Sequence, residues 1–247
     1  MVAPDPGNIS AQQASFGRLY SGMKSSERAQ ERHSRLVEAG FEVFGTVGYP
    51  GAKIKDLCQR AGLSERYFYE SFQSREHLLT TVYDALSKKL MQEVVAAVTV
   101  PGMELRQSVR AGMAAVVNFM LDDPRIAQII LVEIVGVSPE LESKRHRYLS
   151  DFAAESMRLL LLLSGIDQDH AQARQQGAPR IDSLAEALEF ARLTAISMVG
   201  GVNNMLLDAL LSGTTGNKDG ITEVSFQLIC NASTGIRELV AEHQRSL

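Results

Sequence analysis

The sequence has 247 residues, of which 45% are hydrophobic, and its formal net charge is −4. This length suffices for one large domain or for a small domain beside a larger one, and the apolar content excludes a wholly disordered chain. The two cysteines, Cys58 and Cys230, are too few and too far apart for a disulfide framework or a cysteine-based metal site. We interpret both as small buried hydrophobic residues in a reducing compartment.

The charge is distributed unevenly along the chain. Residues 24–89 hold eleven Lys and Arg against nine Asp and Glu, a net of +2, so the rest of the chain holds −6. A local basic excess can guide a protein onto phosphates even when the net charge is negative. No run of eighteen uninterrupted apolar residues and no secretory signal pattern occurs, which predicts a cytoplasmic protein without membrane contact.

The first elements in chain order are short. Residues 1–25 lack sustained periodicity and are predicted to be a flexible arm. Apolar residues at helical spacing predict a helix over 26–44, and Gly48-Tyr49-Pro50-Gly51 ends it. A second helix over 53–61 and a third over 65–72 flank the tight turn Gly62-Leu63-Ser64, in which Ser64 suits the N-cap position.

The later elements are longer. Caps and apolar stripes predict further helices over 74–98, 103–121, 124–135, 139–163, 182–212 and 222–244, with loops over 166–181 and 213–221. No strand pattern occurs. The sequence therefore predicts an all-α fold of about nine helices, divided into the arm (1–25), a helix-turn-helix domain (26–75) and a larger C-terminal domain (76–247).

The turn at Gly62 predicts a helix-turn-helix. In such a motif the second helix exposes side chains to the DNA major groove while its other face is anchored in a small core. Phe68 and Phe72 are four residues apart and are expected to face that core. Arg66, Tyr67 and Tyr69 are then left on the opposite face.

Residues 28–85 resemble the DNA-binding domain of TetR-type regulators. The agreement extends over many positions at fixed spacing: Phe44-Gly45-x-x-Gly48-Tyr49, Ile54-Lys55-Asp56-Leu57-Cys58, Ala61-Gly62-Leu63-Ser64 and Phe68-Tyr69-x-x-Phe72-x-Ser74-Arg75. The resemblance implies a dimeric, ligand-binding C-terminal domain. It also implies phosphate contacts by Tyr69 and Arg75, a basic position at Lys55, and a cap close to the DNA backbone at Ser64.

Two departures from the family pattern alter the expected operator. Ala52-Lys53 replaces the hydroxyl residues that often open the second helix, which loses a cap and gains a cation. Arg66-Tyr67 replaces the usual small residues, so Arg66 can contact guanine in bidentate fashion and Tyr67 can pack on a thymine methyl.

The C-terminal helices contain more apolar residues than one buried stripe needs. Their surplus is either core or an adaptable ligand cavity, for which methionine is well suited. Glu133 stands alone in an apolar run and either pairs with Arg145 or Arg147 or points into that cavity. The candidate ligand-binding residues are Met113, Val117, Met120, Ile130, Glu133, Phe152, Met157 and Met198.

The last two helices are predicted to form the interface of a homodimer. The stretch 190–211 is apolar around much of its circumference, and Gly200-Gly201 permits close helix approach. The resemblance implies a four-helix bundle made by these helices from two subunits. The candidate interface residues are Ile196, Gly200, Val224, Leu228 and Gly235.

The sequence thus predicts a ligand-responsive regulator, most simply a repressor, that binds a palindromic operator and is released by a small, largely apolar effector. An activator or a ligand-independent regulator on the same fold is the alternative. The five histidines are scattered, and neither a metal-binding pair nor a nucleophile motif occurs, so we expect no enzyme activity, metal or cofactor.

Overall fold

A computed structural model describes the backbone of residues 7–166 and 182–245, and the side chains of 26–166, 188–239 and 241. These residues contain helices and no strand, which confirms the all-α prediction. The nine α-helices of this part of the chain are α1 (Gly7–Thr46), α2 (Ile54–Ala61), α3 (Glu65–Ser71), α4 (Arg75–Val98), α5 (Leu105–Leu121), α6 (Pro124–Ala127), α7 (Pro139–Ser164), α8 (Asp182–Leu211) and α9 (Lys218–Arg245). A π-helix (Gln128–Glu133) follows α6 directly.

The chain divides into two compact units, residues 1–82 and 83–247. In the N-terminal unit α1, α2 and α3 pack on one another around a small aromatic core. Phe44, Leu57, Phe68 and Phe72 are almost completely buried there. Gly40 lets α1 approach the start of α4 closely, since a Cβ on it would lie 3.1 Å from Cγ of Leu78.

The C-terminal unit is a bundle in which α7, α8 and α9 pack on one another and α5 packs on α9. One core cluster joins α5, α7, α8 and α9 through residues such as Leu160, Ala195 and Ile236. A second joins the end of α4 to α5, α6, α8 and α9 through residues such as Val117 and Leu206. Both cysteines are buried and free, one in each unit.

The structure differs from the sequence prediction at four places. Helix α1 begins at Gly7 rather than near Ser26, since no proline interrupts the stretch between Pro6 and Ser26. The two compact units meet between Val82 and Tyr83, inside α4, whereas the sequence placed the boundary at 75/76. The last helix begins at Lys218 rather than near residue 222. The predicted loop over 166–181 lies outside the described residues except for its first residue, Ile166.

The predicted helix over 124–135 is the fourth difference. It starts as expected at Pro124, with the carboxylate of Asp123 accepting the backbone N–H of Arg125, but continues as a π-helix from Gln128. The wider turn brings residues five apart together. Nε2 of Gln128 accordingly donates to Oε1 of Glu133 at 2.6 Å. A helical apolar pattern cannot signal such a widened turn, since both helix types bury the same residues.

Candidate DNA-binding site and ligand cavity

The turn between α2 and α3 is built on Gly62. Its φ of +62° is a left-handed conformation that glycine adopts without strain, and its N–H and that of Leu63 donate to the carbonyls of Gln59 and Cys58. Arg35 on α1 donates to the Gly62 carbonyl, and a Cβ at Gly62 would lie 2.7 Å from this guanidinium. The turn therefore fixes the angle between α2 and α3 and binds them to α1.

Helix α3 is anchored on one side by its aromatic residues. Phe68 is fully buried, and Phe72 stacks on His33 of α1 with 4.7 Å between ring centroids. Cys58 of α2 is buried against the same core, where burial and, less strongly, Glu65 raise the pKa of its thiol. With this face buried, the opposite face of α3 is displayed to solvent.

The exposed face of α3 presents the residues that the sequence assigned to DNA. Tyr69 is 59% exposed and Tyr67 is 37% exposed, and the Arg66 side chain is 84% exposed. Nε of Arg66 donates to Glu70 at 3.1 Å. Arg32 of α1 lies 3.8 Å from the same carboxylate and 4.6 Å from the centre of the Tyr67 ring. Glu70 thus holds two arginines on the face that would meet DNA.

The other candidates near the turn are also at the surface. Lys53 occupies the N-cap position of α2, and Lys55 lies one residue inside the helix; both are exposed. Ser64 occupies the N-cap position of α3, but its side chain makes no capping hydrogen bond. Its carbonyl instead accepts the N–H groups of Tyr67 and Phe68, so the hydroxyl is available to a ligand.

Arg75 is in a different environment from the other cationic candidates. Its guanidinium is partly buried, donates to the backbone carbonyls of Tyr49 and Ala52, and lies 4.9 Å from the centre of the Tyr49 ring. These contacts fasten the start of α4 to the turn before α2. The phosphate contact expected of Arg75 stays a prediction. The contacts that the structure shows are structural, since they join α4 to the turn before α2.

The C-terminal unit contains an inner cavity of about 80 Å³. By the measure of one water per ~10–15 Å³, it has room for several waters. Most of the wall is apolar, with contributions from α4, α5, the π-helix, α7, α8 and α9. Of the candidate ligand residues, the five on this wall are Met113, Met120, Ile130, Phe152 and Met198.

The remaining three candidates do not line the inner cavity. Val117 is fully buried in the second core cluster, and Met157 packs against the first. Glu133 is buried and accepts the hydrogen bond from Gln128 described above, while Arg145 pairs with Glu142 at 3.0 Å.

Polar groups on the cavity wall were not found from the sequence. Tyr83 and Ser87 of α4 are almost fully buried there, and their side chains are hydrogen-bonded to each other. Burial raises the pKa of Tyr83 to about 12. The hydroxyl of Tyr148 donates to Asp84 at 3.2 Å, and burial followed by this acid raises its pKa. A tyrosine at helical spacing carries no sequence signal that separates a cavity wall from ordinary core.

An outer cavity of about 260 Å³ adjoins the inner one, since Tyr83, Ile130, Leu149 and Asn203 line both. Arg145, Gly200 and Asn204 are among the residues that line only the outer cavity. Together the two cavities offer a mostly apolar space and an adjoining, more polar one.

Helices α8 and α9 expose apolar side chains that the monomer leaves uncovered. Phe190, Leu193 and Ile196 recur every third residue on α8, and Val224 and Leu228 lie one turn apart on α9; each is about half exposed. No atom lies within 4 Å of a Cβ built on Gly200, Gly201 or Gly235 within the described residues. Residues 188–211 are also long and apolar enough to cross a membrane by length and composition alone, although α8 packs on α7 and α9 in the bundle.

Comparison with known proteins agrees with this architecture. Residues 36–82 match the family model described as bacterial regulatory proteins, tetR family. A transcriptional regulator from Rhodococcus sp. RHA1 superposes with a TM-score of 0.63 at 18% identity, over 82% of this chain and 96% of that one. A putative transcriptional regulator from Pseudomonas aeruginosa PAO1 gives 0.63 at 17% identity, over 85% and 93%.

A third similar structure was determined with a bound molecule. It is the transcriptional regulator FadR from Bacillus subtilis in complex with stearoyl-CoA, with a TM-score of 0.61 at 13% identity over 81% of this chain and 98% of that one. The matched segment and the fold are those of TetR-type transcriptional regulators. Residues 36–82 therefore carry the segment typical of the TetR family, which confirms, for that part of the chain, the resemblance drawn from the sequence.

Proposed function

We propose that this protein is a ligand-responsive transcriptional repressor that binds a palindromic operator as a homodimer and is released by a small-molecule effector. The observation that carries the proposal is the exposed face of α3. Arg66, Tyr67 and Tyr69 project from a helix whose other face is fixed by Phe68 and Phe72. A rigid helix with an exposed arginine and aromatic residues is what reading base edges in a major groove requires.

Several residues around α3 supply non-specific affinity. Lys53 and Lys55 extend from the start of α2, where they make no ion pair within the described residues and can contact phosphates. Such contacts set the salt dependence of binding, whereas Arg66 would set the base preference. Arg32, held over Tyr67, would support the recognition helix from α1.

Operator selection from random duplexes at fixed salt tests the DNA-binding part. We expect wild type to enrich a near-palindrome with half-sites about one DNA turn apart. Arg66→Ala is expected to relax one base pair per half-site, and Lys55→Ala to weaken all duplexes alike. Arg158→Ala serves as a control, because Arg158 is an exposed, ion-paired arginine on α7 in the other unit. Failure of wild type to enrich any site would refute the proposal.

The uncovered faces of α8 and α9 support the homodimer. An apolar surface of this kind on a bundle is costly in water and is usually buried against a partner. The open space at Gly200, Gly201 and Gly235 would let the helices of a second copy approach closely. Two copies joined in this way would present two recognition helices, which is why a palindromic operator is expected.

The inner cavity supports the response to a small molecule. Its wall is mostly apolar with a few polar groups, which is the usual character of a ligand site. The stearoyl-CoA complex of B. subtilis FadR shows that a molecule with a long apolar chain binds a protein of this fold. Helix α4 contributes Tyr83, Ser87 and Leu90 to the wall. It begins at Arg75, which is hydrogen-bonded to the turn before α2. We therefore expect ligand to act through α4.

A ligand changes DNA affinity only if it binds the DNA-free form more tightly than the DNA-bound form. A 5–150-fold response would correspond to about 1–3 kcal/mol of coupling. Crosslinking the two α4 helices of a dimer is expected to abolish this response. A reporter gene in a deletion strain fixes the sign of regulation: increased expression supports a repressor, and decreased expression would identify an activator.

A further inference from the structure

The outer cavity has an electrostatic feature that the apolar inner cavity lacks. Among the described residues that line the two cavities, Arg145 is the only one that carries a formal charge. Its Nε donates to Glu142, and its two terminal nitrogens make no hydrogen bond within the part of the chain that the structure describes. A guanidinium that has unused hydrogen-bond donors beside an apolar cavity can bind an anion.

The arginine is held in place by its own acid. One oxygen of Glu142 accepts the backbone N–H of Gly136 at 2.7 Å, while the other accepts Nε of Arg145 at 3.0 Å. Both hydrogen bonds, with the Gly136 N–H the stronger cause, lower the pKa of Glu142. The acid therefore orients the guanidinium through one edge and leaves the other edge available.

Two amides extend this group of donors. Asn203 is half-buried and lines both cavities, and Asn204 lines the outer one; neither side chain makes a hydrogen bond within the described residues. The nearby carboxylate of Asp84 is already engaged by Lys144 at 2.6 Å and by Tyr148 at 3.2 Å. Asp84 and Glu142 thus have hydrogen-bond donors of their own, while Arg145 and the two amides have donors that remain unused within the described residues.

We propose that the effector is an amphipathic carboxylate, whose apolar chain occupies the inner cavity and whose carboxylate binds Arg145 beside Asn203 and Asn204. This inference rests on the proposed function, since it names the chemistry of the ligand at the same site. It refines the sequence-based expectation of a largely apolar effector by adding an anionic end. It also gives a selection rule: neutral and cationic molecules with the same chain should be poor effectors.

Calorimetric titration of the full-length protein with decanoate and with decan-1-ol distinguishes the contribution of the carboxylate to binding from that of the alkyl chain. We expect decanoate to bind wild type more tightly by on the order of tenfold, because hydrogen bonds to an ionised partner are the stronger kind. Arg145→Gln should remove this preference and leave decan-1-ol unaffected. Arg158→Gln is the matched control, since Arg158 is also paired with an acid three residues earlier on α7 but lines neither cavity.

Asn204→Asp provides a second variant, at an exposed position that lines the outer cavity. It places a negative charge in the outer cavity. It should therefore weaken the binding of decanoate and leave the binding of decan-1-ol unchanged. Equal binding of the two probes to wild type would overturn the inference that the effector has an anionic end. It would leave the proposed ligand response intact. Binding of neither probe would overturn the inference and count against the cavity as the effector site.

Discussion

The two units of the molecule expose opposite kinds of surface. The N-terminal unit has a filled aromatic core and displays Arg66, Tyr69 and two lysines, whereas the C-terminal unit contains a cavity and displays apolar side chains on α8 and α9. A polar, cationic surface is stable in water and can exchange water for phosphate. An exposed apolar surface is stabilised when a partner covers it, and an apolar cavity can bind an apolar molecule. The apolar surface and the cavity of the second unit are therefore the features on which the proposed homodimer and the proposed ligand response rest.

Disruption of the apolar face should have the largest effect. We expect Ile196→Glu to convert the dimer into a monomer, because each copy would bury an unpaired charge in the interface. Operator affinity should then fall by about 10²–10⁴-fold, the range gained by linking two binding modules. Val135→Glu places the same charge at an equally exposed apolar position outside α8 and α9. Light scattering checks the mass, and a dimeric Ile196→Glu protein would locate the interface elsewhere.

Removal of a core ring compares the interiors of the two units. Phe68 is completely buried and lines neither of the two cavities described above, so Phe68→Ala should lower the free energy of unfolding by about 3–5 kcal/mol. Phe152→Ala should lower the free energy of unfolding by less than Phe68→Ala does, because one side of the Phe152 ring already faces the inner cavity. Denaturant unfolding of both variants measures the difference. Equal costs would mean that the inner cavity closes around Phe152 in solution.

The two units also differ in how much of their functional surface could be predicted from the sequence. The spacing from Ala61 to Phe72 is local, so it fixed in advance the turn, the buried aromatic residues and the exposed face of α3. The cavity is assembled from six elements distant in sequence, and helical spacing alone does not separate its wall from core. Val117 and Met113 lie one turn apart on α5, yet Met113 lines the cavity and Val117 does not. Tyr83 and Asn203 gave no signal, and Arg145 was considered only as a partner of Glu133, because their places on the cavity walls arise only where helices meet.

The exposed face of α3 supports a subtler prediction. Glu70 contacts both Arg66 and Arg32 and is itself 41% exposed, so Glu70→Gln should release two cations toward DNA. We expect duplex affinity to rise about two- to fivefold, comparable with the 0.2–1 kcal/mol of an exposed ion pair. Glu65→Gln makes the same charge change on the same helix without an arginine partner in the described residues. The affinity gain of Glu70→Gln should exceed that of this control in a binding titration; an equal gain would show that only net charge matters.

A further prediction concerns a titratable group inside the C-terminal unit, whose effect is confined to strongly alkaline pH. Burial raises the pKa of Tyr83 from 10.0 to about 12, so the fold favours its neutral form. The corresponding stability is complete below pH 10 and is lost as the pH rises through that window to about 12. Tyr83→Phe should therefore lose less stability than wild type between neutral and strongly alkaline pH in urea unfolding. Tyr69→Phe, which removes an exposed hydroxyl from the other unit, should follow wild type. Parallel losses in wild type and Tyr83→Phe would mean that the buried phenol opens to water before it ionises.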